Sequence, residues 1–167
     1  MAEKALKVLL DIGKVVLLVL FSVMIIVGFM QVFWRYVLRV ALPWSEELMR
    51  YCYVWSTFVG LPIVMTMGGM AVIDTISSRF KGLAEDIYNF VIMAIEGYCF
   101  YIMIHHGINF CKVNVLSTSA SMGIPMTYIT SSVVVSGFYG ILCLILSFIL
   151  KIQEIRMRGT LQKGGNQ

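Results

Sequence analysis

Residues 15–34 are twenty consecutive amino acids without a single charge, closed by Arg35 and Arg39. At about 1.5 Å of rise per residue they make a helix of roughly 30 Å, the thickness of a bilayer's hydrocarbon core. In water that helix would have to be buried on every side, and the 167-residue chain has little with which to cover it: 59% of its residues are hydrophobic and 13% charged. A soluble domain is nearer one quarter charged. A soluble globular fold is therefore excluded, and a small integral membrane protein is expected.

Three further apolar runs follow. Residues 48–67 hold Arg50 near their start and Pro62 past their middle, and they stop at Gly68-Gly69. Residues 87–111 carry one acid, Glu96, and end in His105, His106 and Lys112. Residues 124–150 open with Pro125 and close on Lys151, which suits both ends of a helix. The expected fold class is all-α, with four transmembrane helices at about 15–34, 48–67, 87–111 and 124–150 in one membrane domain covering residues 1–167. Residues 1–14 are basic like the start of a signal peptide, but no small-residue cleavage site follows the apolar run, so the first span is read as retained.

Between spans two and three, Ile73, Ile76, Phe80, Leu83 and Ile87 recur at steps of three and four while Asp74, Ser77, Ser78, Arg79 and Lys81 fill the other face. This pattern predicts a short amphipathic helix at about 71–84 lying on the membrane surface. The alternative is a plain extension of span three, which Gly82 weakens.

An even number of spans puts both termini on one side. Lys4, Lys7, Lys14, Arg79, Lys81, Lys151, Arg156, Arg158 and Lys163 then share that side, and only Arg35, Arg39 and Lys112 flank the other. The positive-inside rule predicts cytoplasmic termini. Basic residues placed at the ends of apolar runs, rather than on a soluble face, point to a lipid bilayer and not to nucleic acid.

The chemistry-bearing residues are few. Cys52, Cys99, Cys111 and Cys143 show no CxxC spacing and read as small buried hydrophobes, not as a zinc site or disulfide framework. His105 and His106 are neighbours about 100° apart on a helix, so one face cannot offer both to a haem. GxSxG, HExxH, P-loop and paired-carboxylate patterns are absent, and neither an enzyme nor a cofactor in this chain is expected. Glu96 falls near the bilayer midplane, where an acid costs on the order of 2.5 to 3.5 kcal/mol on insertion scales. It is either a proton or cation carrier or a carboxyl that fixes packing.

Glu46 and Glu47 precede Arg50 by four and three residues, which puts all three on one side of a helix start as a local charge cluster. Ser45 is a candidate N-cap there. Trp34, Tyr36, Trp44, Tyr51 and Tyr53 gather at the same end, as amphipathic rings do at the headgroup level. On span four, Thr130, Ser131, Ser132, Ser136, Gly137 and Gly140 make a face that another helix backbone can approach closely, within this chain or in a partner.

The block 31–74 contains Arg35-Tyr36, Pro43-Trp44-Ser45-Glu46-Glu47, Arg50-Tyr51, Trp55, Gly60 and a terminal Val72-Ile73-Asp74. It resembles the small membrane subunit of tripartite ATP-independent periplasmic (TRAP) transporters, the DctQ-like family. One departure is visible: family members often carry His shortly before the hydrophobic-Asp end, where this chain has Met70.

The resemblance implies a scaffold subunit in the bacterial inner membrane, beside a large DctM-like membrane subunit that moves substrate and sodium. A periplasmic binding protein would deliver the substrate, an organic acid such as sialic acid or a C4-dicarboxylate. It also implies that Arg35, Trp44, Glu46, Glu47, Arg50, Trp55 and Asp74 serve as partner or structural contacts. Two readings from other classes compete with it: a small proton-coupled multidrug exporter using Glu96, and a membrane anchor of a redox complex.

Overall fold

The computed structural model of the chain describes the backbone of residues 2–77 and 83–164, and the side chains of residues 3–67, 87–153 and 155. Within these bounds the protein is four helices, α1 (Ala2–Val37), α2 (Pro43–Ser77), α3 (Leu83–Val113) and α4 (Thr127–Gly164). Each is long and apolar enough to cross a membrane. No strand occurs among the described residues, only an isolated antiparallel bridge between Thr118 and Pro125 in the α3–α4 loop.

α1 is longer than its apolar core because its polar N-terminal segment continues the helix, with Lys14 Nζ 3.4 Å from Asp11 Oδ1 one turn away. α2 begins at Pro43, whose fixed φ and missing N–H suit a first helical position. Ser45 is therefore not the cap expected of it. It lies inside the first turn, fully buried, and its hydroxyl donates to the Leu42 carbonyl at 2.7 Å. At its far end α2 runs through Gly68-Gly69 to Ser77. Of the stretch 71–84, residues 71–77 thus belong to the end of α2 and residues 83–84 to the start of α3, while residues 78–82 lie outside the described residues.

α4 is the hub. It packs against each of the other helices, α2 packs against α1 and α4, and α3 rests almost wholly on α4. The residues that allow this are the small ones. Ser132, Ser136, Gly137, Gly140 and Cys143 are all buried. A Cβ on Gly140 would collide with the Phe100 ring of α3, and one on Gly137 would sit 2.5 Å from Ile104. The small face of span four is thus spent inside the chain. Gly13 of α1 plays the same role at another contact: the Tyr139 hydroxyl passes over it to donate to the Leu9 carbonyl at 3.0 Å.

The decisive contact of α4 is with α2. Pro62 has no N–H, so the carbonyl four residues earlier, Phe58, loses its helical donor. In a bilayer that carbonyl must find another, because no water is there to supply one. Ser136 of α4 donates to the Phe58 oxygen at 2.5 Å, with Ser136 fully buried. The proline that weakens α2 therefore creates the acceptor that ties it to α4.

This pairing makes a quantitative expectation. Ser136→Ala should destabilise the chain in detergent by about 1–2 kcal/mol, the worth of an interhelical hydrogen bond and its orphaned acceptor. Pro62→Ala restores an N–H to Phe58, so Ser136→Ala should cost distinctly less in that background. Thermal unfolding of the double-mutant cycle measures the difference, and strict additivity would show that the two positions do not communicate.

Candidate functional site

The α1–α2 turn and the α3–α4 loop lie at the same end of the bundle, and Glu47 holds them together. One carboxylate oxygen accepts the Ser121 and Met122 backbone N–H groups at 3.1 and 3.0 Å, across more than seventy residues of sequence. The other accepts the Tyr51 hydroxyl one helical turn on, and the Ser119 side chain also hydrogen-bonds the carboxylate. Only a carboxylate offers enough lone pairs for four donors at one point.

The loop is shaped to present those donors. Ser119 N–H donates to the Ile124 carbonyl at 2.9 Å, Gly123 N–H to the Ser119 carbonyl at 3.2 Å, and Met126 N–H to the Ser117 carbonyl at 2.8 Å. Gly123 has a φ of 65°, in the left-handed region that glycine enters without strain. The closed loop turns the Ser121 and Met122 amides toward the start of α2. The same loop and the end of α3 leave Val113 and Leu116 largely exposed.

Beside this tie the two helices of the first hairpin are joined by Gln31, whose amide donates to Glu46 at 3.1 Å. Gln31, Arg35, Ala41, Leu42, Pro43 and Glu46 line a cleft of about 200 Å³ at the turn. The turn closes on the Trp34 carbonyl, which accepts from Leu38 and Val40, with Arg39 at a φ of 56°.

The residues singled out in the sequence are thus split by the structure. Glu47 is a structural tie within the chain. Arg35, Glu46 and Arg50 are exposed, and Trp44 and Trp55 are half-buried. The expected charge cluster does not close, because Arg50 makes an ion pair with neither acid. The side chain of Asp74 lies outside the described residues. Glu96 stands apart, half-buried on α3, with no hydrogen-bond or ion-pair partner among the described residues. His105 and His106 are both exposed, their rings 5.2 Å apart and nearly perpendicular.

Two features were not anticipated from the sequence. The partners of Glu47 lie in a loop whose only signal is a run of Ser and Thr between residues 117 and 121. Asn89 of α3 is almost wholly buried, with neither side-chain polar atom paired. No group of three or more His, Cys, Asp or Glu side chains suited to a metal occurs among the described residues.

The model of the family described as "Tripartite ATP-independent periplasmic transporters, DctQ component" matches residues 24–154. No curated protein and no solved structure matches the chain.

Removing the acceptor should release the loop. In Glu47→Ala the Ser121 and Met122 amides are expected to exchange hydrogen for deuterium roughly tenfold faster in detergent, as hydrogen bonds to a charged group are lost. Glu46→Ala, which removes only the Gln31 contact, should leave those two amides unchanged. Equal effects of the two substitutions would show that Glu47 is not what holds the loop.

Proposed function

The chain belongs to the DctQ component family of tripartite ATP-independent periplasmic transporters, and from that premise we propose that it is the stationary small subunit beside a larger, DctM-like transport subunit. The family makes it a transporter component and not an enzyme. The match over residues 24–154 carries this reading, because it takes in the Glu47 tie, the α3–α4 loop and the α4 hub together. The chain's own architecture supports it. Among the described residues each span is one continuous helix, whereas transport sites are commonly built from paired broken helices.

In this proposal the four helices widen the membrane footprint of the large subunit and resist its tilting while its mobile region crosses the bilayer. The transported solute is an organic acid, sialic acid or a C4-dicarboxylate, delivered by a periplasmic binding protein. Sodium is bound on the large subunit, and this chain carries no cofactor of its own. The charge distribution supports cytoplasmic termini in a bacterial inner membrane, which makes the Glu47 end periplasmic. Arg35, Glu46 and Arg50, exposed at that end, are proposed partner contacts together with the half-buried Trp44 and Trp55. Asp74 is proposed as a contact on the strength of the motif resemblance alone.

Two measurements on cells carrying the neighbouring genes test this. Mild-detergent purification through a tag on the C-terminus should bring down a multi-span membrane protein in about equal amount. Deleting this chain should abolish solute uptake, with recovery when it is supplied from a plasmid. Purification of the chain alone or as a homodimer, with uptake intact after the deletion, would overturn the proposal.

A further inference from the structure

The outward faces of α1 and α3 differ in a way that sorts lipid from protein. On α1 the exposed residues through the apolar run are Leu18, Ile25, Ile26, Phe29 and others of their kind. The two polar side chains of that run are satisfied within the chain, Ser22 by the Leu18 carbonyl and Gln31 by Glu46. Such a surface suits acyl chains.

α3 is the opposite. Tyr98, Tyr101, His105 and Asn109 follow one another at steps of three and four, so they share one face of the helix. All four are exposed. None has a hydrogen-bond partner among the described residues; the Tyr101 and His105 rings stack with centroids 6.1 Å apart, and the His105 ring meets that of His106 edge-on at 5.2 Å. In the apolar stretch Ile87–Val113 the first three lie within about 8 Å of the centre at 1.5 Å per residue. There hydrocarbon would leave a phenol, a second phenol and an imidazole without donors or acceptors, which a bilayer penalises. Asn109 of the stripe also lines a shallow, mostly apolar groove of about 460 Å³ along α3, closed on its far side by Val133 of α4. α3 is also the helix that rests almost wholly on one neighbour, α4.

We propose that this face of α3, the stripe Tyr98, Tyr101, His105 and Asn109 with the groove beside it, receives a transmembrane helix of the larger subunit. That helix supplies hydrogen-bonding side chains to the stripe and packs an apolar ridge into the groove, while α1 faces lipid. The inference rests on the reading of the chain as a subunit beside a larger membrane protein, and it adds which surface makes the contact.

The test places the photo-cross-linker p-benzoylphenylalanine at Tyr98 or Tyr101, and for comparison at Leu18 or Ile25, in the whole complex in native membranes. The α3 positions are expected to give a product containing both this chain and the large subunit, and the α1 positions none. A second arm uses Tyr98→Phe, Tyr101→Phe and His105→Leu together. This variant should keep the chain in the membrane and reduce the co-purified large subunit about tenfold, from the loss of several interhelical hydrogen bonds. Leu18→Ala with Ile25→Ala should leave recovery unchanged.

If the large subunit co-purifies but cross-links only from α1, or from neither helix, the assignment of the face is overturned while the subunit reading stands. Cross-linking of α3 to a second copy of this chain overturns the assignment in the same way. Failure of any large subunit to co-purify with the unmodified chain overturns the subunit reading and the assignment with it.

Discussion

The carbonyl of Phe58 organises this bundle. A bilayer leaves no backbone acceptor unpaired, and Pro62 takes away the donor that an unbroken helix would have supplied. The hydroxyl of Ser136 replaces it at 2.5 Å, and in doing so fixes where α4 crosses α2. The small residues around Ser136 then determine how near the other helices come. Gly140 and Gly137 admit Phe100 and Ile104 of α3, and Tyr139 reaches over Gly13 to the backbone of α1. Association of helices in lipid depends on such close approach and on polar bonds, since apolar side chains gain little by leaving a solvent that is itself apolar. The stability of the fold accordingly sits on a few small and hydroxyl-bearing residues of α4.

The Glu47 carboxylate does at the end of the bundle what Ser136 does in its middle. It joins the start of α2 to the loop between α3 and α4, so that two hairpins distant in sequence are tied at one end. A bundle tied both at midplane and at one end suits a subunit that holds still while another moves. In the arrangement proposed above, the aliphatic exterior of α1 faces lipid and the tyrosines and histidine of α3 face the partner.

Much of this was legible in the amino-acid order, and the reasons are physical. Four apolar runs announce four helices because a bilayer imposes both length and composition on a spanning segment. Residues 130–140 could be read as a close-approach face because small side chains have few other uses at that spacing, though not whether the approaching helix was internal. Helical spacing set Glu47 beside Arg50, and the structure pairs its carboxylate instead with Tyr51, one turn on. What stayed hidden was long-range pairing. Nothing near Pro62 names Ser136 as its partner, and nothing near Glu47 names Ser121 and Met122, because such pairs are set by how helices cross. The start of α2 was misplaced for a local reason: Ser45 looks like a cap, but Pro43 is better suited to open the helix, and the serine hydroxyl turns back to Leu42.

A rigid scaffold keeps its internal distances fixed while its partner moves. Spin labels on Cys introduced at Leu38 and Leu116, two exposed positions in the α1–α2 turn and the α3–α4 loop, report across the end that Glu47 ties, once the native cysteines are replaced. Double electron–electron resonance on the assembled transporter, with and without solute, sodium and binding protein, measures that separation directly. A single distance distribution unchanged by all of them is the result expected of a scaffold. A shift of several ångström on adding solute and sodium would show that this chain moves with the transport cycle, and would contradict the role proposed for it.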